Sequence, residues 1–136
     1  GRVAELPTSK PGKPLPERKA VMLLIRDNEG RVLLKRRPPA GIWASLWSLP
    51  EATDHDSARG WFEQHIDGDY DDGSALEEIH HGFTHYRLSI HPMTWRDLAL
   101  HARIKDNEAL RWVARDALAT LGIPAPIRTL LHTTTT

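Results

Sequence analysis

The sequence predicts a mixed α/β domain of the α+β type, in which a central mixed β-sheet is flanked by helices. The first supporting observation is an unbroken apolar run from Ala20 to Ile25, which has the length of a strand buried on both faces. The second is the strict apolar–polar alternation of residues 86–91, which is typical of a half-buried strand. The third is that short helical segments separate and follow the strands, with no internal repeat.

The first half of the chain contains a predicted hairpin and a predicted helix. Asp27–Gly30 supplies turn residues after the first strand, and Val32–Lys35 then returns as the second strand of a hairpin. We expect a helix that is capped by Asp56 or Ser57 and runs to about Ile66.

The second half continues the alternation of elements. Residues 67–73 are predicted to form an acidic loop, and a strand is expected around residues 109–113. A short helix at 114–121 should end at a glycine C-cap, and a last helical turn is expected at 127–132. The elements together predict one domain rather than two.

The chain divides into a predicted tether, a domain and a tail. Residues 1–18 are rich in proline and lysine or arginine, which predicts an interdomain linker, although a disordered segment without a role has the same composition. Residues 19–132 are assigned to the folded domain. Residues 133–136, a run of threonines, are expected to be a disordered tail.

Composition excludes several classes of site. The chain has no cysteine, so disulfides, thiolate metal sites, iron–sulfur clusters and cysteine nucleophiles are excluded within it. No apolar run approaches the roughly 20 residues of a membrane span, and the first residues do not resemble a signal peptide. The formal net charge is zero, whereas proteins that grip DNA alone are usually basic. A nucleic-acid role therefore requires help from another domain.

Three segments carry the functional argument. They are residues 33–51 (LLKRRPPAGIWASLWSLPE), residues 81–88 (HGFTHYRL) and residues 121–126 (LGIPAP). Together with residues 15–18 (LPER) at the end of the linker, they resemble the C-terminal domain of MutY-type adenine DNA glycosylases. The resemblance covers essentially the whole chain.

The resemblance implies a Nudix-like fold and a role in base excision repair. The family removes adenine mispaired with 8-oxoguanine, and its catalytic residues and 4Fe-4S cluster belong to an N-terminal helix-hairpin-helix domain. The C-terminal domain reads the oxidised guanine. This chain is therefore expected to hold no catalytic residue, cofactor or metal. Its expected partners are double-stranded DNA containing 8-oxoguanine opposite adenine and the catalytic domain of the same polypeptide, in a monomeric, cytoplasmic bacterial protein associated with the nucleoid.

The chemistry of the lesion points to Thr84. Oxidation at C8 turns guanine N7 from an acceptor into a donor, so a reader of the lesion needs an acceptor where a guanine reader uses arginine. A hydroxyl accepts from N7–H and also donates to the new oxygen. Many relatives carry serine here; threonine keeps the hydroxyl and adds a methyl group. His81, Phe83 and His85 are the expected supporting residues, although burial habits favour a core position for Phe83.

Basic residues are the candidates for contacts with the DNA backbone. Lys35, Arg36 and Arg37 end the second strand, and Arg18 and Lys19 end the tether. These five side chains are expected to form a local stripe facing phosphates. The alternative is an ordinary solvated basic edge.

Three further interpretations stay open. An active Nudix hydrolase needs carboxylates that converge on Mg²⁺, but residues 50–65 lack an Arg-Glu-x-x-Glu-Glu pattern, and Glu51, Asp54, Asp56 and Glu63 are scattered. In the second interpretation, the chain is a protein-interaction module whose linker docks a protein partner. A metal on the i, i+4 pair of histidines at 81 and 85 is disfavoured because that spacing suits a helix, whereas this segment precedes an alternating strand. Most of the five tryptophans are expected in the core and none is assigned to DNA: Trp43, Trp47, Trp61, Trp95 and Trp112.

Overall fold

The computed structural model describes residues 15–67, 73–98, 103–104 and 109–134. The described strands and helices, in chain order, are β1 (Glu17–Asp27), β2 (Val32–Arg36), β3 (Trp47–Ser48), β4 (Glu51–Ala52), α1 (His55–His65), β5 (Ile66–Asp67), β6 (Ser74–Ala75), β7 (Ile79–Gly82), β8 (Arg87–Leu98), β9 (Arg103–Ile104), β10 (Leu110–Val113), a 3₁₀-helix (Arg115–Thr120) and α2 (Ala125–Thr133).

A mixed β-sheet forms the centre of the domain, as predicted. β1 and β8 pair in parallel over most of their length, from Glu17 beside Arg87 to Ile25 beside Trp95. β2 pairs antiparallel with β1 and with β10 on one side, while β6 and β7 pair antiparallel with β8 on the other. The hairpin of β1 and β2 predicted from the sequence is confirmed.

The sheet is buried on both faces, and this explains the apolar run of β1. Met22 and Leu24 face a core cluster that includes Ile127 of α2. Val21, Leu23 and Ile25 face a second cluster that includes Phe62 of α1. Because a strand sends successive side chains to opposite faces, a strand with a helix on each side is apolar throughout.

Several element boundaries differ from the sequence prediction. β1 begins at Glu17, because the end of the assigned linker continues the pairing with β8. α1 begins at His55, since the Asp54 carboxylate accepts a hydrogen bond from the Ser57 amide and caps the helix. The helix expected at 114–121 is a 3₁₀-helix. α2 extends through Thr133, the first residue assigned to the tail.

Parts of some assigned segments lie outside the described residues. They are residues 1–14 of the linker, residues 68–72 of the acidic loop and the last two residues of the tail. Within the described ranges, no helix combines the length and the apolar character needed to cross a membrane.

Candidate nucleic-acid interface

The loop between β7 and β8 is a tight hairpin turn that presents Thr84. The two strands pair antiparallel up to Gly82 and Arg87, and the Phe83 amide donates to the Tyr86 carbonyl at 2.8 Å. Thr84 and His85 therefore form the tip, and both are exposed. The Thr84 hydroxyl lies 3.1 Å from His85 Nδ1, within hydrogen-bonding distance. The hydroxyl proposed from the sequence thus lies at the surface with one neighbouring partner.

Aromatic rings support this tip from below. Phe83 stacks on the buried Tyr86 with ring centroids 4.8 Å apart, and His81 meets the Phe83 ring edge-on at 4.7 Å. Trp43 lies 5.7 Å from Phe83 and 5.9 Å from His81. Phe83 and His81 are half-buried, so they hold the turn in place. His85 packs edge-on against Tyr86 at 5.0 Å and remains exposed.

An open cleft of about 770 Å³ lies beside the tip and gathers residues from distant parts of the sequence. Its walls include five of the residues singled out above: Arg18, Lys19, Arg37, Phe83 and His85. These come from the start of β1, the end of β2 and the β7–β8 turn. The tertiary structure therefore brings part of the basic set and part of the recognition loop together.

The five basic candidates are not equivalent. The Arg18 guanidinium lies over the Tyr86 ring, 4.7 Å from its centroid, and Lys19 is exposed. Arg37 forms an ion pair with Glu51, which lines the same cleft, so the pair adds little net charge there. Lys35 and Arg36 are exposed and line a neighbouring pocket of about 450 Å³, of which Arg37 is also a wall.

Sequence reasoning named the loop of Trp43 among the informative segments but did not place this tryptophan beside the recognition turn. Trp43 has φ 52° and Ser45 has φ 61°, both in the left-handed region that non-glycine residues rarely adopt. The neighbouring Gly41 has φ 92°, a conformation that only glycine adopts without strain. This loop sets the tryptophan ring against His81 and Phe83. The signal in the sequence was a glycine two residues before a tryptophan.

Three of the four acidic residues named around α1 have other partners. Glu51 pairs with Arg37, and Asp56 pairs with Arg59 at 3.5 Å. Asp54 caps the helix, and the hydrogen bond from the Ser57 amide lowers the pKa of its carboxyl below the usual value. In the part of the chain that the structure describes, no three histidine or acidic side chains are grouped as metal ligands.

Solved structures with the same fold include the C-terminal domain of a MUTYH protein and two MutT proteins. The C-terminal domain of mouse MUTYH, solved in complex with human PCNA, matches with a TM-score of 0.69 and 16% identity, covering 84% of each chain. A MutT NUDIX hydrolase from Burkholderia pseudomallei matches with a TM-score of 0.67 and 18% identity, over 88% of this chain and 98% of the other. A MutT protein from Methanosarcina mazei matches with a TM-score of 0.64 and 20% identity, over 90% and 95%.

At these identities, the structural matches establish the fold, which both binding domains and hydrolases use. The sequence itself matches the profile of the NUDIX domain over residues 21–133, which is most of the chain. The chain therefore belongs to the NUDIX domain family.

Proposed function

We propose that this chain is the lesion-recognition domain of a MutY-type adenine DNA glycosylase, and that it reads 8-oxoguanine opposite adenine in double-stranded DNA. The observation that carries the proposal is the exposed Thr84–His85 tip, which stands beside a cleft with basic walls. Excision of adenine, and the 4Fe-4S cluster, would belong to a catalytic domain on the same polypeptide. The protein would act as a cytoplasmic monomer.

The hydrogen bond at the tip supports a sensing role for the hydroxyl. When Thr84 donates its proton to His85 Nδ1, the lone pairs of Oγ1 are free to accept from the N7–H of 8-oxoguanine. Ordinary guanine offers an acceptor at N7 and so gains nothing from this arrangement. The neighbouring histidine would thus prepare the hydroxyl for the oxidised base.

The charges of the cleft support contact with the backbone of the same duplex. Arg18 and Lys19 present positive charge next to the tip, and Lys35 and Arg36 present it nearby. Contacts of this kind fix the register of a protein on DNA without reading sequence. Because the whole chain has a formal net charge of zero, such contacts remain weak alone and act together with a tethered domain.

A titration of this chain with short duplexes, followed by NMR, tests the proposal. A duplex with 8-oxoguanine opposite adenine should shift the backbone signals from Phe83 to Tyr86 more than an otherwise identical guanine–adenine duplex does. Thr84→Val removes the hydroxyl at nearly constant shape and should weaken binding of the lesion duplex about 5- to 30-fold, equivalent to about 1–2 kcal/mol. Thr84→Ser keeps the hydroxyl and should bind like the parent chain. Equal responses to the two duplexes would refute lesion reading.

Pyrophosphate hydrolysis of an oxidised nucleoside triphosphate is the second candidate, favoured by the fold shared with proteins called MutT. The partners of Glu51, Asp54 and Asp56 weigh against it, since metal-assisted hydrolysis needs carboxylates free to bind Mg²⁺. The test is pyrophosphate release from 8-oxo-dGTP in the presence of Mg²⁺ or Mn²⁺. We expect none above the buffer control; sustained turnover would establish the hydrolase instead.

A further inference from the structure

A second group of basic side chains lies at the opposite end of β1 from the recognition tip. Arg26, near the end of β1, lines a pocket of about 320 Å³ together with Arg96 of β8 and Arg115 at the start of the 3₁₀-helix. The three arginines are far apart in sequence and were not singled out by any motif. The pocket falls at the lower end of the size range of small-molecule sites, about 300–1,000 Å³.

Arg26 is buried and only partly satisfied. Only 7% of the residue is exposed. Its Nη2 donates to the Leu131 carbonyl at 3.3 Å and to the Thr134 hydroxyl at 3.0 Å. Nε and Nη1 are buried, and among the described residues nothing accepts a hydrogen bond from them. Those two nitrogens carry three N–H groups, and leaving donors of a buried cation unpaired is costly.

The neighbouring charges increase this cost. Burial is the main cause that lowers the pKa of Arg26, and the positive charges of Arg115 and Arg96 lower it further. Both neighbours are exposed, so their guanidinium groups are accessible from solvent. A guanidinium nevertheless remains protonated in proteins, so the site keeps its positive charge.

The acidic residues of the pocket wall do not balance these charges. The Asp27 carboxylate accepts from the Arg31 side chain at 2.6 Å and from two backbone amides of the following turn. Glu29 lies 3.8 Å from the same guanidinium. Asp27 and Glu29 therefore stabilise the β1–β2 turn together with Arg31, and the cations at positions 26, 96 and 115 are left in excess.

We propose that this pocket binds a phosphate group between the exposed guanidinium groups of Arg96 and Arg115, and that a rotation of the Arg26 side chain then brings one of its buried, unpaired N–H groups to a phosphate oxygen. A phosphate group offers several oxygens and up to two negative charges, so it matches three guanidinium groups better than a single carboxylate does. The ligand is either a backbone phosphate of nucleic acid or free phosphate. The inference rests on residues remote from the tip, so it stands or falls separately from the proposed function.

Titration with inorganic phosphate at constant ionic strength tests the site. In NMR spectra that resolve the arginine Nε–H signals, phosphate should shift the Arg26 signal saturably, and sodium chloride should not. The double variant R96Q/R115Q keeps Arg26 and its packing, and it should bind phosphate at least about tenfold more weakly. R59Q removes an exposed arginine of α1 and should bind like the parent chain.

Two results would overturn the proposal. One is an Arg26 signal that does not respond to phosphate, or responds equally to chloride, as expected if water alone satisfies these donors. The other is phosphate affinity unchanged in R96Q/R115Q. A short duplex identifies the source of the phosphate: displacement of bound inorganic phosphate by DNA assigns the pocket to the nucleic-acid backbone, and coexistence assigns it to free phosphate.

Discussion

The two ends of β1 carry the same kind of side chain in opposite environments. Arg18, at the start of the strand, is exposed and lies on the ring of Tyr86. Arg26, about 26 Å further along at 3.3 Å per residue, is buried, and two of its nitrogens have no acceptor within the described part of the chain. The register of the strand makes the difference, because Arg26 shares the face of Met22 and Leu24, which belong to the core under α2.

This comparison shows that charge alone does not determine what an arginine side chain binds, because the surroundings of the guanidinium group differ. At the first end, an aromatic face stabilises the cation and water solvates the rest of it, so the charge serves long-range attraction. At the second end, packing removes the water and leaves N–H groups without acceptors, so the requirement is for a specific oxyanion.

The largest expected effect concerns the aromatic support of the first end. Tyr86→Ala should lower the free energy of unfolding by about 3–5 kcal/mol, because it removes a buried ring that packs against Phe83 and lies under Arg18. Tyr86→Phe is the matched control: the Tyr86 hydroxyl is buried and has no hydrogen-bond partner among the described residues, so its removal should cost nothing. Urea unfolding measures both. A cost below about 1 kcal/mol for the alanine variant would show that the ring does not anchor the tip.

The second prediction addresses the other end of the strand. Arg26→Met should leave the unfolding free energy in phosphate-free buffer unchanged or raise it by about 1 kcal/mol, because an apolar side chain avoids the cost of burying an unpaired charge. The same variant should lose any stabilisation by added phosphate. Arg18→Met, as the exposed counterpart, should keep it. A marked loss of stability in Arg26→Met would mean that the hydrogen bonds to Leu131 and Thr134 already repay the burial.

The third prediction separates the basic candidates near the tip. Arg36→Gln should reduce the slope of log affinity for duplex DNA against log salt by about 0.9, as expected for one lost phosphate contact. The double variant R37Q/E51Q removes a pair whose charges already cancel and should leave that slope unchanged. Fluorescence anisotropy over a salt series distinguishes them. Equal losses from the two variants would assign Arg37 to the DNA backbone.

The smallest expected effect is a pH dependence at the start of β1. The hydrogen bond from the Ser89 hydroxyl is the main cause that lowers the pKa of Glu17 below its ordinary 4.5, with help from Lys19, His80 and Arg87. A carboxyl with a lowered pKa in the folded state stabilises the fold above about pH 4.5, and that contribution is lost as the pH falls through the folded value.

Ser89→Ala should therefore lose less stability between neutral pH and about pH 3 than the parent chain does. Melting temperatures at the two pH values provide the measurement. Thr120→Ala, which removes a hydroxyl that donates to the Ala117 backbone carbonyl instead of a carboxylate, should keep the parent's pH dependence. Parallel curves for the Ser89→Ala and parent chains would show that this hydrogen bond does not couple to pH.

Patterns local in sequence were sufficient for much of the fold. The apolar run of β1, the turn after it and the alternation of Tyr86, Leu88 and Ile90 identified the strands that hold the sheet together. Helix ends were less accurate, because a cap depends on which side chain reaches an amide, and Asp54 does so rather than Asp56 or Ser57. For the candidate interface, the sequence supplied Thr84 and its neighbours but not the ring of Trp43, which a left-handed backbone conformation brings to them.

The sequence by itself determined the strands β1, β2 and β8 and placed Thr84 in the turn before β8, since each depends on residues adjacent along the chain, and its profile over residues 21–133 determined the family. Only the tertiary structure decided which charges are neutralised and which stay unpaired. Glu51 reaches Arg37 across a loop, and Arg26, Arg96 and Arg115 meet from three separate elements. Electrostatic energy depends on separation and solvation in three dimensions, and spacing along a sequence contains neither.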